Sequence, residues 1–215
     1  MNGALAIDRR KVARHARPAA LALVALALWI GGLMGPAAAQ PAPTTLTPAE
    51  AREALLAPGR KAKRFEPSTL IERAAVQTLI PVLAARALAG DRQVADLRAL
   101  AHGAEFEIDL WHVGEADFLA MHESRPRGAG AFIFRLGPRD PAGEALLQAP
   151  HAYFDLHTGR IAAAMTFERE GPHPRALMLN TVQRYQRGPP TAESPADVCH
   201  RPEHLFSRVT DRTLA

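Results

Sequence analysis

The stretch Leu146-Leu147-Gln148-Ala149-Pro150-His151-Ala152-Tyr153-Phe154-Asp155-Leu156-His157-Thr158-Gly159-Arg160-Ile161 decides the fold. A short apolar run stops at Pro150-His151, and an amphipathic helical pattern takes over after Thr158. This is the outline of a strand delivering a histidine to its carboxyl end, the end that faces the ligand crevice of an open α/β sheet. Imidazole and carboxylate are zinc-type ligands, and the short spacing lets one turn of backbone present His151 and Asp155 to the same ion. A plainer reading keeps them apart, with a solvated loop whose Asp155 or Thr158 caps the next helix.

Downstream, Ile161 to Phe167 is a good helix former, with Gly171-Pro172 as its stop. Arg175-Ala176-Leu177-Met178-Leu179-Asn180-Thr181-Val182-Gln183-Arg184-Tyr185 is a second apolar run ending in polar residues. Strand 145–149, the helix and strand 176–180 form a βαβ unit, which implies parallel neighbours and a right-handed crossover. Asp197-Val198-Cys199-His200 is a third cluster of ligand-capable side chains. Gly188 to Pro195 reads as a mobile loop over the crevice, and Arg201 to Phe206 opens a final short helix.

Upstream, Phe106, Ile108 and Leu110 alternate with Glu105, Glu107 and Asp109, the period-two signature of a strand with one solvated face. Phe118 to Glu123 and Ala131 to Leu136 add two strands, separated by turns at 114–117 and 125–128. Before them come a short helix from Thr47-Pro48-Ala49-Glu50 to near Pro58-Gly59 and helical patterns over 68–89, with Pro81 a possible kink, and 91–102. The expected fold is α/β: a mixed sheet with an antiparallel meander leading into a parallel βαβ unit, and helices packed on it.

The pattern Pro150-His151…Asp155…Thr158…Ile161-Ala162, a strand ending in Asn180-Thr181 and Arg184, then Asp197-Val198-x-His200, resembles the zinc-dependent amidohydrolases related to poly-γ-glutamate hydrolase and N-formylglutamate amidohydrolase, relatives of the zinc carboxypeptidases. The likeness covers about residues 145–206 and is one of motifs. It implies zinc held by His151 and Asp155. The chain departs from the pattern where a further histidine is expected, for that position is Gln183, and the pattern's acidic ligand is a glutamate one residue beyond Asp155. Either His200 supplies the third ligand, or the site holds metal weakly, or the fold persists without the chemistry.

Arg9, Arg10, Lys11, Arg14 and Arg17 precede an apolar run from Pro18 to Met34 and a small-residue segment ending at Ala39, the make-up of a secretory signal peptide over 1–39. An uncleaved anchor at 18–34 is the alternative, the run being close to the roughly 17-residue limit for spanning a bilayer. Residues 40–46 read as a Pro-rich linker and 47–215 as a single domain, placing the mature protein in the periplasm or outside the cell. The five cations and one carboxylate of 1–39 account for the whole net charge of +4. The pI of 9.8 therefore carries no nucleic-acid footprint. The basic run Arg60, Lys61, Lys63, Arg64 reads as a solvated loop. One cysteine excludes an internal disulfide. As a nucleophile Cys199 needs a base, and a strand through 197–200 would turn His200 to the opposite face.

The expected function is hydrolysis of an amide or peptide bond, with zinc on His151, Asp155 and His200. Glu123 is the candidate general base, Arg175 or Arg184 the binder of a substrate carboxylate, and Asn180 the oxyanion donor. The partner is a carboxylate-bearing small molecule or peptide, with membrane contact only through the signal segment. The alternative is an inactive protein of this fold binding a carboxylate ligand or an envelope partner, which Gln183 favours, and a cysteine hydrolase using Cys199 is a third possibility. His112, His122 and Arg135 read as members of surface or cross-strand pairs, and His157 and His173 as loop residues.

Overall fold

Alternation of apolar side chains from Phe106 onward builds a six-stranded mixed sheet in the order β1-β2-β3-β4-β6-β5. The strands are β1 (Thr44–Leu46), β2 (Phe106–Val113), β3 (Ala116–Glu123), β4 (Ala131–Arg135), β5 (Leu146–Ala149) and β6 (Ala176–Leu179). The helices are α1 (Pro48–Lys61), α2 (Leu70–Ala89), α3 (Ala95–His102), α4 (Thr158–Phe167) and α5 (Leu205–Leu214). The computed structural model describes residues 42–61, 64–140, 144–155, 157–168, 174–185 and 194–214. The expected signal segment, His173, the Gly171-Pro172 stop and most of the Gly188–Pro195 loop lie outside these residues.

β2, β3, β4 and β6 pair antiparallel in succession, while β5–β6 and β1–β2 are parallel. The expected α/β architecture is the observed one, and α4 supplies the crossover between β5 and β6. The expected linker contributes its last three residues to the sheet, Thr44–Leu46 pairing with Trp111–Val113.

Strands β2 to β6 divide their side chains between two cores, as a period of two requires. Phe132, Phe134 and Met178 join Phe106, Ile108, Leu119 and Met121 beneath α2, α3 and α5. Ala131, Ile133, Leu177 and Leu179 face the other way with Trp111 and Phe118, under α1 and α4. The result is a three-layer sandwich. β2 meets the expectation of a solvated face only in its first half, where Glu107 is exposed. From Trp111 on, the α1/α4 layer covers that face too.

Helix ends depart from expectation for local reasons. α1 continues past Pro58 to Lys61, and Tyr153 closes over its last turn: its hydroxyl donates to the Leu56 carbonyl at 2.7 Å. The Tyr153 ring lies where a Cβ on Gly59 would stand, 2.0 Å from its nearest atom, so no larger residue fits there. α3 starts at Ala95 rather than near Asp91, because the Asp91 carboxylate accepts from Gln93 N (2.9 Å) and closes a turn in place of a helix. α4 is capped by neither Asp155 nor Thr158; its N-cap is His157, at φ +66°, with no side-chain cap.

Candidate functional site

Antiparallel and parallel pairings together bring the carboxyl ends of β3, β5 and β6 to one end of the sheet, where Glu123, His151, Asn180 and Thr181 follow or close their strands. Arg175 precedes β6, so it lies at the opposite end, about 16 Å of strand away from Asn180. There it bonds Glu144 and the carbonyls of Arg135, Gly137 and Pro138. It has no part in this site.

His151 follows Pro150 and is nearly buried, its side chain 12 % exposed. The segment 197–200 comes over it as a 3-10 turn, Val198–His200, and not as a strand. The fully buried Asp197 caps that turn, accepting from Cys199 N at 3.3 Å. With three residues per turn, the turn sets Cys199 Sγ 3.3 Å from His151 Nε2, and Asp197 Oδ1 is 3.9 Å from the same nitrogen. Ligand atoms of His151, Asp197 and Cys199 all lie within 4.8 Å of one another, and this is the one such group among the described residues.

The structure thus brings His151 to Asp197 and Cys199 and leaves Asp155 and His200 out of the cluster. Asp155 is exposed and uses its backbone N–H on the His151 carbonyl, at 2.9 Å. His200 is exposed at the end of the turn. The Asp-x-Cys spacing was visible in the sequence. On the strand expected there, it would even have put both side chains on one face.

Arg184 Nη2 donates to Asp197 Oδ2 at 2.8 Å, and its guanidinium lies 5.3 Å from the Phe154 ring and 4.9 Å from the Tyr185 ring. Among the described residues its buried Nε has no partner, and neither has His151 Nδ1. Gln183 accepts from Tyr185 N at 2.8 Å. Burial, and then the Asp197 carboxylate, push the Cys199 thiol up from its ordinary value.

Asn180 is fully buried and its amide is occupied. Nδ2 donates to the carbonyls of Pro150 (2.9 Å) and Val182 (3.2 Å), and Oδ1 accepts from Val182 N (3.4 Å). It is a tie between the loops after β5 and β6, not an oxyanion donor. Glu123 is likewise engaged, accepting from the N–H groups of Arg127, Gly128 and Gly130 and from the Thr181 hydroxyl. Burial pushes its carboxyl up against these bonds. It organises the 127–130 turn, where Gly128 takes φ +86° against the Val182 side chain.

The cluster offers thiol, imidazole and carboxylate donors, the types of group that hold metal ions. No protein-family model, curated protein or solved structure matches the chain.

Proposed function

We propose that the chain is a metal-dependent hydrolase of an amide or peptide bond, acting outside the cytoplasm, with a zinc-type ion held by His151, Asp197 and Cys199. The observation that carries this reading is convergence: Cys199 Sγ and Asp197 Oδ1 approach the same nitrogen of His151. In a nucleophile–base–acid triad the nucleophile and the carboxylate engage opposite nitrogens of the imidazole. Two ligand-type groups gathered on one nitrogen are instead what ligands of a shared ion would present.

Three protein ligands leave a coordination position open, the pattern of catalytic rather than structural sites. An ion there supplies Lewis acidity, polarising a scissile carbonyl. The chain's own residues do the rest. Arg184 fixes the Asp197 carboxylate, Asn180 holds Pro150 and therefore His151 in place, and the exposed side of Cys199 opens the cluster to solvent. Arg184 is also the guanidinium that adjoins the cluster, which favours a carboxylate-bearing substrate. The choice of an amide bond rests on the motif resemblance at 145–206.

A second reading takes the 3.3 Å Cys199–His151 contact as a thiol–imidazole pair acting on an acyl group. Against it stands the same convergence, since Asp197 approaches the nitrogen that Cys199 meets and not the opposite one. Metal content separates the two. The chain from Gln40, purified without chelator, is expected to carry about one zinc, as a single three-ligand site does. His151→Ala, Asp197→Ala and Cys199→Ala lose it, while Asp155→Ala and His200→Ala keep it. Absence of metal even after soaking in zinc sinks the metal reading. Amide hydrolysis unaffected by chelator but abolished by a thiol-alkylating reagent would establish the second.

A further inference from the structure

The first turn of α2 holds two large apolar side chains out in water. Leu70 is 77 % and Ile71 78 % exposed, whereas the next most exposed large hydrophobic residue among the described residues, Ile161, reaches 56 %. This is no frayed end. Thr69 and Glu72 form a complete capping box, Thr69 N donating to Glu72 Oε2 at 2.6 Å and Glu72 N to Thr69 Oγ1 at 3.2 Å. The other Glu72 oxygen takes a 2.8 Å bond from the buried Arg127. The tip is therefore pinned to the core from beneath while Leu70 and Ile71 project from it. Single exposed hydrophobics are ordinary, but a rigid adjacent pair marks a surface that meets something apolar.

The charge around the tip says what. Between Arg60 and Arg73 the sequence has five cations, Arg60, Lys61, Lys63, Arg64 and Arg73, against two carboxylates, Glu66 and Glu72, and Arg60 is paired with Glu53 at 2.8 Å. Both carboxylates are neutralised, Glu66 by Arg125 at 2.6 Å and Glu72 by Arg127. Arg64 and Arg73 make no salt bridge among the described residues. Arg73 is three residues from Leu70 and so shares its helix face. It lines a cavity of about 310 Å3 with Ser68, Phe65 and Arg201, and Glu203 on that wall lies 3.9 Å from Arg201. An apolar point flanked in the chain by Arg64 and Arg73 matches the interface of a bilayer with anionic headgroups, where apolar side chains enter the acyl boundary and Lys or Arg meet phosphates.

We propose that the α2 tip docks the domain on an anionic lipid surface, with Leu70 and Ile71 inserted and Arg64 and Arg73 at the headgroups. This contact is independent of the N-terminal segment and of the His151 cluster. Residues 40–215 form one compact unit containing every core cluster, so the chain from Gln40 is the protein to test, its fold verified by a cooperative melt. In sedimentation with vesicles of phosphatidylcholine and roughly 30 % phosphatidylglycerol, the chain is expected to pellet, and with phosphatidylcholine alone to stay in solution. The exposed pair Leu70→Ser/Ile71→Ser lies outside every core cluster and so keeps the melt, but it is expected to weaken vesicle binding about tenfold or more. Salt at roughly 0.5 M is expected to weaken binding of the parent chain as well. Binding unchanged by the double substitution, or equal on neutral and anionic vesicles, overturns the proposal. So does a chain that ignores vesicles yet self-associates in ultracentrifugation through Leu70 and Ile71, for the tip would then belong to a second copy.

Discussion

Asn180 is a small residue with a large geometric task. Its Nδ2 bonds to the Pro150 and Val182 carbonyls join the loop that carries His151 to the loop that leads to Arg184, the residue bonded to Asp197. Replacing it with alanine leaves a buried carbonyl and a buried N–H without partners, a cost of about 1–3 kcal/mol. The proposed metal site is expected to suffer beyond that, because groups supporting ligands typically change metal affinity about 10–100-fold. Zinc titration of Asn180→Ala beside a denaturant melt checks both, and a variant equally destabilised but with unchanged zinc affinity would reduce Asn180 to a structural residue. At this scale the sequence was half legible. His151 was readable because an apolar run ending in Pro-His announces a strand end. Asp155 and His200 looked equally apt by residue type, but type does not say which way a loop turns. Cys199 reached His151 through a 3-10 turn 48 residues away in sequence, and neither hydropathy period nor spacing records such a meeting.

Elements were more legible than residues, because their signals are periodic and local. β2 and β3 were expected from alternation alone, and their register pairs Glu107 with His122 and Asp109 with Ala120. On the solvated half of that face, His122 Nε2 bonds Asp109 Oδ2 at 3.0 Å, and Arg98 Nη2 approaches Asp109 Oδ1 at 3.2 Å. The Asp109 bond raises the His122 pKa despite burial, and the His122 bond likewise lowers that of Asp109. A raised histidine stabilises fully below its unfolded value of about 6.5 and loses the contribution as pH rises through its folded value. A lowered aspartate stabilises fully above about 3.9 and loses it as pH falls through its folded value. The pair therefore contributes most between these limits, in the window of about pH 4 to 6.5. Urea unfolding of His122→Gln across pH 5 to 9, roughly, should show a smaller decline in stability toward alkaline pH than the parent chain. Parallel curves for the two proteins would remove the pair from the account of strand pairing. The helix ends were not legible, since side-chain bonds such as that of Asp91 to Gln93 N compete with helix locally and leave no trace in the apolar pattern.

Over the whole molecule, one buried ion pair joins parts that the sequence keeps far apart. Arg127, 1 % exposed, bonds Glu72 of α2 at 2.8 Å and the Ala104 carbonyl at 3.1 Å. Its backbone N–H meanwhile donates to Glu123 at the end of β3. The pair thus clamps α2, the 104 corner before β2 and the 127–130 turn beside the His151 end of the sheet. Burial opposes ionisation of Glu72, but the Thr69 N–H and the Arg127 guanidinium overcome it and hold the carboxyl below its ordinary range. Its contribution is therefore present at neutral pH and fades as pH falls through that lowered value. Desolvation makes such a pair costly to halve and cheap to replace as a unit. Arg127→Met alone strands a buried carboxylate and is expected to lose about 3–5 kcal/mol, a large part of the roughly 5–15 kcal/mol that holds a domain together. Adding Glu72→Gln removes the stranded charge yet keeps an acceptor for Thr69 N, so the double variant should recover most of the loss. Urea unfolding at neutral pH measures both. If the double variant is no more stable than Arg127→Met, the stranded charge is not what the single substitution costs, and the clamp would then act through the shape of Arg127 and its bond to Ala104.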